Sequence, residues 1–302
     1  MLDIIIRAGS FIAIIAMGFL LKRIGFFKEE DFTLLSKISI RLTLPCSIIT
    51  GFAGKEIDPA MLSLPLMALA CGAIYMTVAF LLNRKKGSER QAFAMLNMSG
   101  YNIGAFVLPF AQSFLGAIGV VAASIFDIGN AIICLGGSFS MASTVKDGRG
   151  FSARRILRAL ATSVPFITYV IMLTMNLLHL PLPAFVRSVA EVCGGANAFM
   201  AMLMIGVGFK LQANREQFRT IAGILIPRYL LATVFALVYY YLTPFALEIR
   251  QTLVILAFAP IGSAVPAFTR EMDSDFGLSS AINSIALTIS ITIIVSLLLI
   301  ML

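Results

Sequence analysis

Asp127 carries the most chemical potential in this sequence. It stands in Phe126-Asp127-Ile128-Gly129-Asn130, well inside an apolar run. An ionisable group at mid-membrane costs about 2.5–3.5 kcal/mol on insertion scales, so it is kept there for a purpose. Three roles fit: binding a proton or cation in a coupling step, staying neutral, or pairing with another buried group. Asn102 and Asn130 offer donors and acceptors nearby in the sequence. Each could contact a solute or ion, or join two helices. Arg41, close to Pro45, could attract an anion, pair with Asp127, or snorkel to the inner face. Asn283 is a further candidate for ion coupling. No metal-ligand spacing and no cofactor motif is present, and none is expected.

Two interrupted stretches must position these groups. One reads Asn97-Met-Ser-Gly-Tyr-Asn102-Ile-Gly104-Ala-Phe-Val-Leu-Pro109-Phe; the other reads Pro260-Ile-Gly262-Ser263-Ala-Val-Pro266. Both are apolar enough for a membrane, yet hold glycine and proline where a helix wants neither. Lipid cannot satisfy a freed backbone group, so such breaks are tolerated beside protein or a water-filled cavity. Asn102 and Pro260 lie roughly 16 and 15 Å into their stretches at 1.5 Å per residue. That is near the midplane of a ~30 Å core. Half-helix ends there offer N–H groups to an anion and carbonyls to a cation. Asn102, Gly104, Pro109, Asn130, Pro260, Gly262, Ser263, Pro266 and Arg41 are therefore the expected solute-binding positions. Ile103-Gly104 through Gly119 also resembles Ile261-Gly262 through Gly277 at a constant offset of 158, an internal repeat.

Composition sets the class. The 302 residues are 59% hydrophobic and 13% charged, with mean hydropathy +0.96. A soluble domain is roughly 45–50% apolar and about 25% charged, so this chain is polytopic. The net charge of +8 does not point to nucleic acid, because the basic residues sit in short loops between apolar stretches. Cys46, Cys71, Cys134 and Cys193 fall inside such stretches and read as small core residues. The start, to Leu21, reads as a retained span rather than a signal peptide, because Asp3 and Arg7 interrupt it.

Ten stretches approach the length of a span: about 4–21, 33–53, 61–82, 91–112, 118–142, 159–180, 185–207, 220–243, 250–269 and 277–300. With the N-terminus outside, the inner loops hold 16 Lys and Arg and the outer segments four. This follows the positive-inside bias and puts both termini outside. Five spans per half requires inverted halves: 1–143, a short basic cytoplasmic loop 144–158, and 159–302. Lys37 and Arg228 are expected to snorkel inward. Glu191 reads as hydrated near the outer face, and His179 as interfacial.

The motifs also resemble a known family. Asn102-Ile-Gly104-Ala-Phe-Val107-Leu108-Pro109-Phe110 with Gly116-Ala-Ile-Gly119 is similar to the fourth-span signature of the auxin efflux carrier family, which includes malonate-type permeases. Val107 stands where the signature has a second glycine, and Phe110 where it has leucine. Arg41-Leu-Thr-Leu-Pro45-Cys-Ser-Ile-Ile, Met204-Ile-Gly206-Val-Gly208-Phe-Lys-Leu211 and Ala281-Ile-Asn283-Ser-Ile-Ala-Leu-Thr288 resemble its second, seventh and tenth spans. The resemblance implies an all-α fold of ten transmembrane helices in two inverted five-helix repeats, with broken, crossing helices four and nine. It implies elevator-type transport of a small carboxylate in a cell (inner) membrane, and a homodimer. The partners expected are a small organic anion and the lipid bilayer.

Rival readings are a sodium-coupled organic-anion symporter of the bile-acid type and a membrane sensor. The first needs clustered oxygens for sodium, whereas Asp127 is the acidic group at depth, which favours protons. The second needs a receptor signature or soluble domain. No GxSG, HExxH or P-loop motif occurs, so the chain reads as a gradient-driven carrier rather than an enzyme.

Overall fold

The computed structural model describes residues 2–148, 150–209 and 215–302. Every element in it is helical: α1 (Leu2–Arg23), α2 (Asp31–Phe52), α3 (Pro59–Asn83), α4 (Ser88–Met98), α5 (103–115), α6 (116–147), α7 (Ala153–Thr162), α8 (Val164–Leu177), α9 (Ala184–Gly208), α10 (Arg215–Leu242), α11 (Leu247–Ala257), α12 (Val265–Glu271) and α13 (Phe276–Met301). No strand occurs among the described residues. Many outward positions are large and apolar, such as Leu66, Phe185, Val192, Ile226, Leu230 and Leu242. An apolar surface of that extent belongs against lipid rather than water.

Among the described residues, seven helical stretches are long and apolar enough to cross a bilayer, or eight when α7 and α8 are joined as one bent span. The stretch Ser88–Asp147 counts once there with 60 residues. At 1.5 Å per residue it would run about 90 Å, three times a ~30 Å core. It therefore holds more than one crossing, with α4–α5 and α6 as its two arms. Treating α11–α12 as a second broken span makes the fold compatible with ten crossings.

The breaks fall where proline, glycine and asparagine collect. Helix α4 ends at Met98 and α5 begins at Ile103. Helix α11 ends at Ala257 and α12 begins at Val265. Pro109 does not make its break; it sits inside α5, where the wider π turns at Ile103–Val107 and Ala111–Leu115 flank it. A proline removes an i→i−4 bond, and a locally altered register absorbs the loss. Pro266 lies in the first turn of α12, where an N–H has no intrahelical partner anyway.

Two differences from the sequence reading concern the middle of the chain. Residues 144–158 are not simply a loop: α6 continues to Asp147, and α7 starts at Ala153, capped by the Ser152 hydroxyl. Helix α7 then bends by 76° into α8 at Ser163-Val-Pro165. Its apolar face buries Ile156 and Leu160. Its Arg155 grips Glu271 at the end of α12 with two 2.7 Å hydrogen bonds. The basic positions Arg149 and Lys210 lie outside the described residues.

Packing sorts the helices into two groups. Helix α1 packs on the second half of α9, while α2 packs on α8 and the first half of α9. In the other group α3 packs on α4 and α6, α10 on α11, α11 on α6, and α12 on α13. Helix α6 joins the groups through its contacts with α2 and α8. Asp127 and Asn130 lie on that joining helix.

Candidate functional site

The two breaks touch. The Asn102 amide donates to the Pro260 carbonyl at 2.9 Å. Beside this contact lies a cavity of about 150 Å³, the size of a site that holds benzene. Asn102, Gly104, Gly262 and Ser263 line it from the breaks; Asp127, Asn130 and Cys134 from α6; Ile40 and Leu44 from α2; Ser163, Phe166 and Tyr169 from α7–α8. Helices α5 and α12 both begin at this cavity, so their N-terminal ends bring positive partial charge to it.

Asp127 is held from two sides. The Asn130 carboxamide donates to Asp127 Oδ1 at 2.7 Å, and the Tyr169 hydroxyl donates to Asp127 Oδ2 at 2.8 Å. Tyr169 belongs to α8 and Asp127 to α6, so this carboxyl bridges the two helix groups. Gly104 allows the approach. A Cβ there would lie 2.9 Å from Leu44 Cδ2 and 3.8 Å from Asp127 Oδ2.

Asn130 works as a clamp. It accepts from the Tyr101 amide at 2.9 Å and donates to the Tyr101 carbonyl at 2.8 Å, pairing with the broken backbone as a neighbouring strand would. This satisfies main-chain groups that the break exposes, which burial would otherwise penalise. Its carboxamide is thus committed to positioning Tyr101 and Asp127. Gly100 sits in the same break at φ 75°, where a Cβ would lie 2.6 Å from Cys134 Sγ.

Arg228 departs most from expectation. It does not snorkel inward but is 1% exposed. Its guanidinium donates to the Gly100 carbonyl at 2.9 Å, to the Ala259 carbonyl at 3.0 Å, and to the Met98 carbonyl. It also lies 4.9 Å from the Tyr75 ring centroid and 5.4 Å from that of Tyr101. A long side chain can reach water or protein equally well. Here the carbonyls freed by both breaks outcompete the solvent, because a forked cation can satisfy several of them together.

Not every expected residue reaches the cavity. Arg41 is exposed, although Ile40 and Leu44 on either side of it line the space. Depth along a helix is readable from sequence; which way one residue faces is not. Pro109 is buried in α5 and Pro266 half-buried in α12, both outside the lining. Pro260 is likewise outside the lining, its carbonyl accepting from the Asn102 amide. Asn283 is half-buried on α13, also outside the lining. Asn97 joins helices: it donates to Thr269 at 3.3 Å and accepts from Ser279, tying α4, α12 and α13 together. Tyr169 was missed, because an aromatic residue in an apolar run reads as core. The Ser-x-Pro signal at Ser163 that starts its helix was available.

Residues 9–150 match a family described as Membrane transport protein. The chain is 21% identical over 211 residues to an uncharacterised transporter of Methanothermobacter thermautotrophicus, with 68% of each chain covered. The match spans α1 to α6, including the first break and Asp127. Over its first half this multi-pass all-α chain is similar to the membrane transport protein family, the auxin efflux carrier family that its motifs resemble.

Proposed function

We propose that the chain is a secondary carrier of a small organic anion, a mono- or dicarboxylate, taken up at the crossing of the two breaks. The observation that carries this reading is the convergence of the α5 and α12 N-termini on a cavity that also holds Asp127. Those ends favour negative charge. The cavity volume suits a solute of a few carbon atoms.

Asp127 is the proton-coupling group in this reading. A carboxylate beside a bound anion is unfavourable by like-charge repulsion, so protonation and anion binding support each other. Its link to Tyr169 spans the two helix groups, so release of that hydrogen bond is a natural step when one group moves against the other, as an elevator requires. The matching breaks support two inverted halves, 1–143 and 159–302, the basic loops favour both termini outside a cell membrane, and the family resemblance implies a homodimer.

The test is uptake into proteoliposomes from a panel of mono- and dicarboxylates under an imposed pH gradient. Wild type is expected to accumulate at least one acid uphill. Asp127→Asn is expected to lose accumulation while retaining downhill exchange or binding. Undiminished uphill transport by that variant overturns the coupling role.

A further inference from the structure

The crossing has a charge problem that the cavity alone does not show. Helices α4 and α11 end at the breaks, so each directs a C-terminus of about −0.5 elementary charge toward the crossing. Helices α5 and α12 bring N-termini of opposite sign. The C-terminal ends offset part of the preference for anions that the N-terminal ends give. Carbonyls released at unwound helix ends are also the groups that coordinate sodium in broken-helix carriers.

Arg228 resolves both points. Its three acceptors are Met98, the last residue of α4, and Gly100 and Ala259 within the two breaks. They come from both halves of the crossing and are held by one guanidinium. The group is enclosed by the aromatic rings of Tyr75 and Tyr101, and is shut off from solvent. It is not part of the cavity lining, so it does not touch the solute.

We infer that Arg228 acts as a resident cation: it fills the carbonyl cluster that a dissociable sodium ion would need, and so leaves the crossing tuned to anions without sodium. It is a positioning residue, acting through the main chain of the breaks. The inference rests on the anion-carrier reading and deepens it, since it names which ion is dispensable. The chain of contacts runs on from Tyr101 through Asn130 to Asp127, so the fixed charge and the proton site share one framework.

The test needs no identified substrate. Purified protein is melted in sodium, potassium and N-methylglucamine chloride at equal ionic strength. Wild type is expected to melt at one temperature in all three, and a saturable sodium-specific rise overturns the inference. Arg228→Ala is then titrated with methylguanidinium at millimolar concentration. A saturable rise of about 2–4 °C, absent in wild type, is expected as the cation re-enters the emptied cluster; a folded variant with no such rise overturns the inference. Should Arg228→Ala not fold, Arg228→Lys keeps a charge there and is expected to stay indifferent to sodium, whereas sodium stabilisation of it counts against the proposal. The anion reading fails separately, if no carboxylate is carried by wild type while the cation results hold.

Discussion

The amide of Asn102 and the carbonyl of Pro260 form a 2.9 Å hydrogen bond across the crossing of two broken helices. These residues are also 158 positions apart, the offset that aligns Ile103-Gly104 with Ile261-Gly262. They occupy equivalent places in the internal repeat.

Gly104→Ala is expected to reduce anion affinity with little change in stability. The added methyl meets Leu44 Cδ2, the end of a flexible side chain, and intrudes toward Asp127 and Tyr169. Gly223→Ala is the control, since a Cβ there meets nothing within 4 Å. It lies inside α10 and is expected to stabilise by about 0.5–1 kcal/mol through helix propensity. Melting curves and binding titrations separate the two effects; equal affinity in both variants would detach Gly104 from the solute.

Gly100→Ala is expected to destabilise the protein by about 2–4 kcal/mol, through a left-handed backbone and a clash with Cys134 Sγ. Combining it with Cys134→Ala removes the sulfur but not the backbone strain. Partial recovery of the melting temperature is expected. Full recovery would mean that φ at this position carries no cost.

Asn130→Ala leaves the Tyr101 N–H and C=O without their partner and takes one donor from Asp127. Each unsatisfied buried group costs about 1–3 kcal/mol. A loss of folded protein or a large fall in melting temperature is expected. Asn130→Asp, which restores an acceptor but not the donor, should recover only part of it. A wild-type melting curve for the alanine variant would remove the clamp from the account.

Topology is open to cysteine labelling in intact cells. Lys86→Cys, in the exposed turn between α3 and α4, is expected to resist an impermeant reagent until the membrane is opened. Lys55→Cys, in the exposed turn between α2 and α3, is expected to label from outside. The reverse pattern would invert the orientation inferred from the basic loops.

Much of the fold was legible because backbone punctuation is local. Gly100, Asn102 and Pro260 mark their breaks by residue type alone, and a carboxyl in an apolar run marks Asp127 as special. What was not legible depends on azimuth and reach. Arg41 has the right depth but faces away from the cavity, whereas Arg228 reaches carbonyls 31 and about 130 positions distant in the chain. Tyr169 declares itself only when its hydroxyl meets a carboxylate 42 residues away. Proline was half informative: Pro260 lies in a break, but Pro109 is absorbed by altered helical register six residues into α5.

The central claim is that the meeting of the two breaks binds a small organic anion. Melting of the purified protein against dicarboxylates, monocarboxylates and aromatic acids, in parallel with Asn102→Ala, tests it most directly. At least one acid is expected to raise the wild-type melting temperature saturably, with the rise lost or strongly weakened in a folded Asn102→Ala variant. An equal rise in both proteins, or no rise with any acid, would contradict an anion site at the crossing.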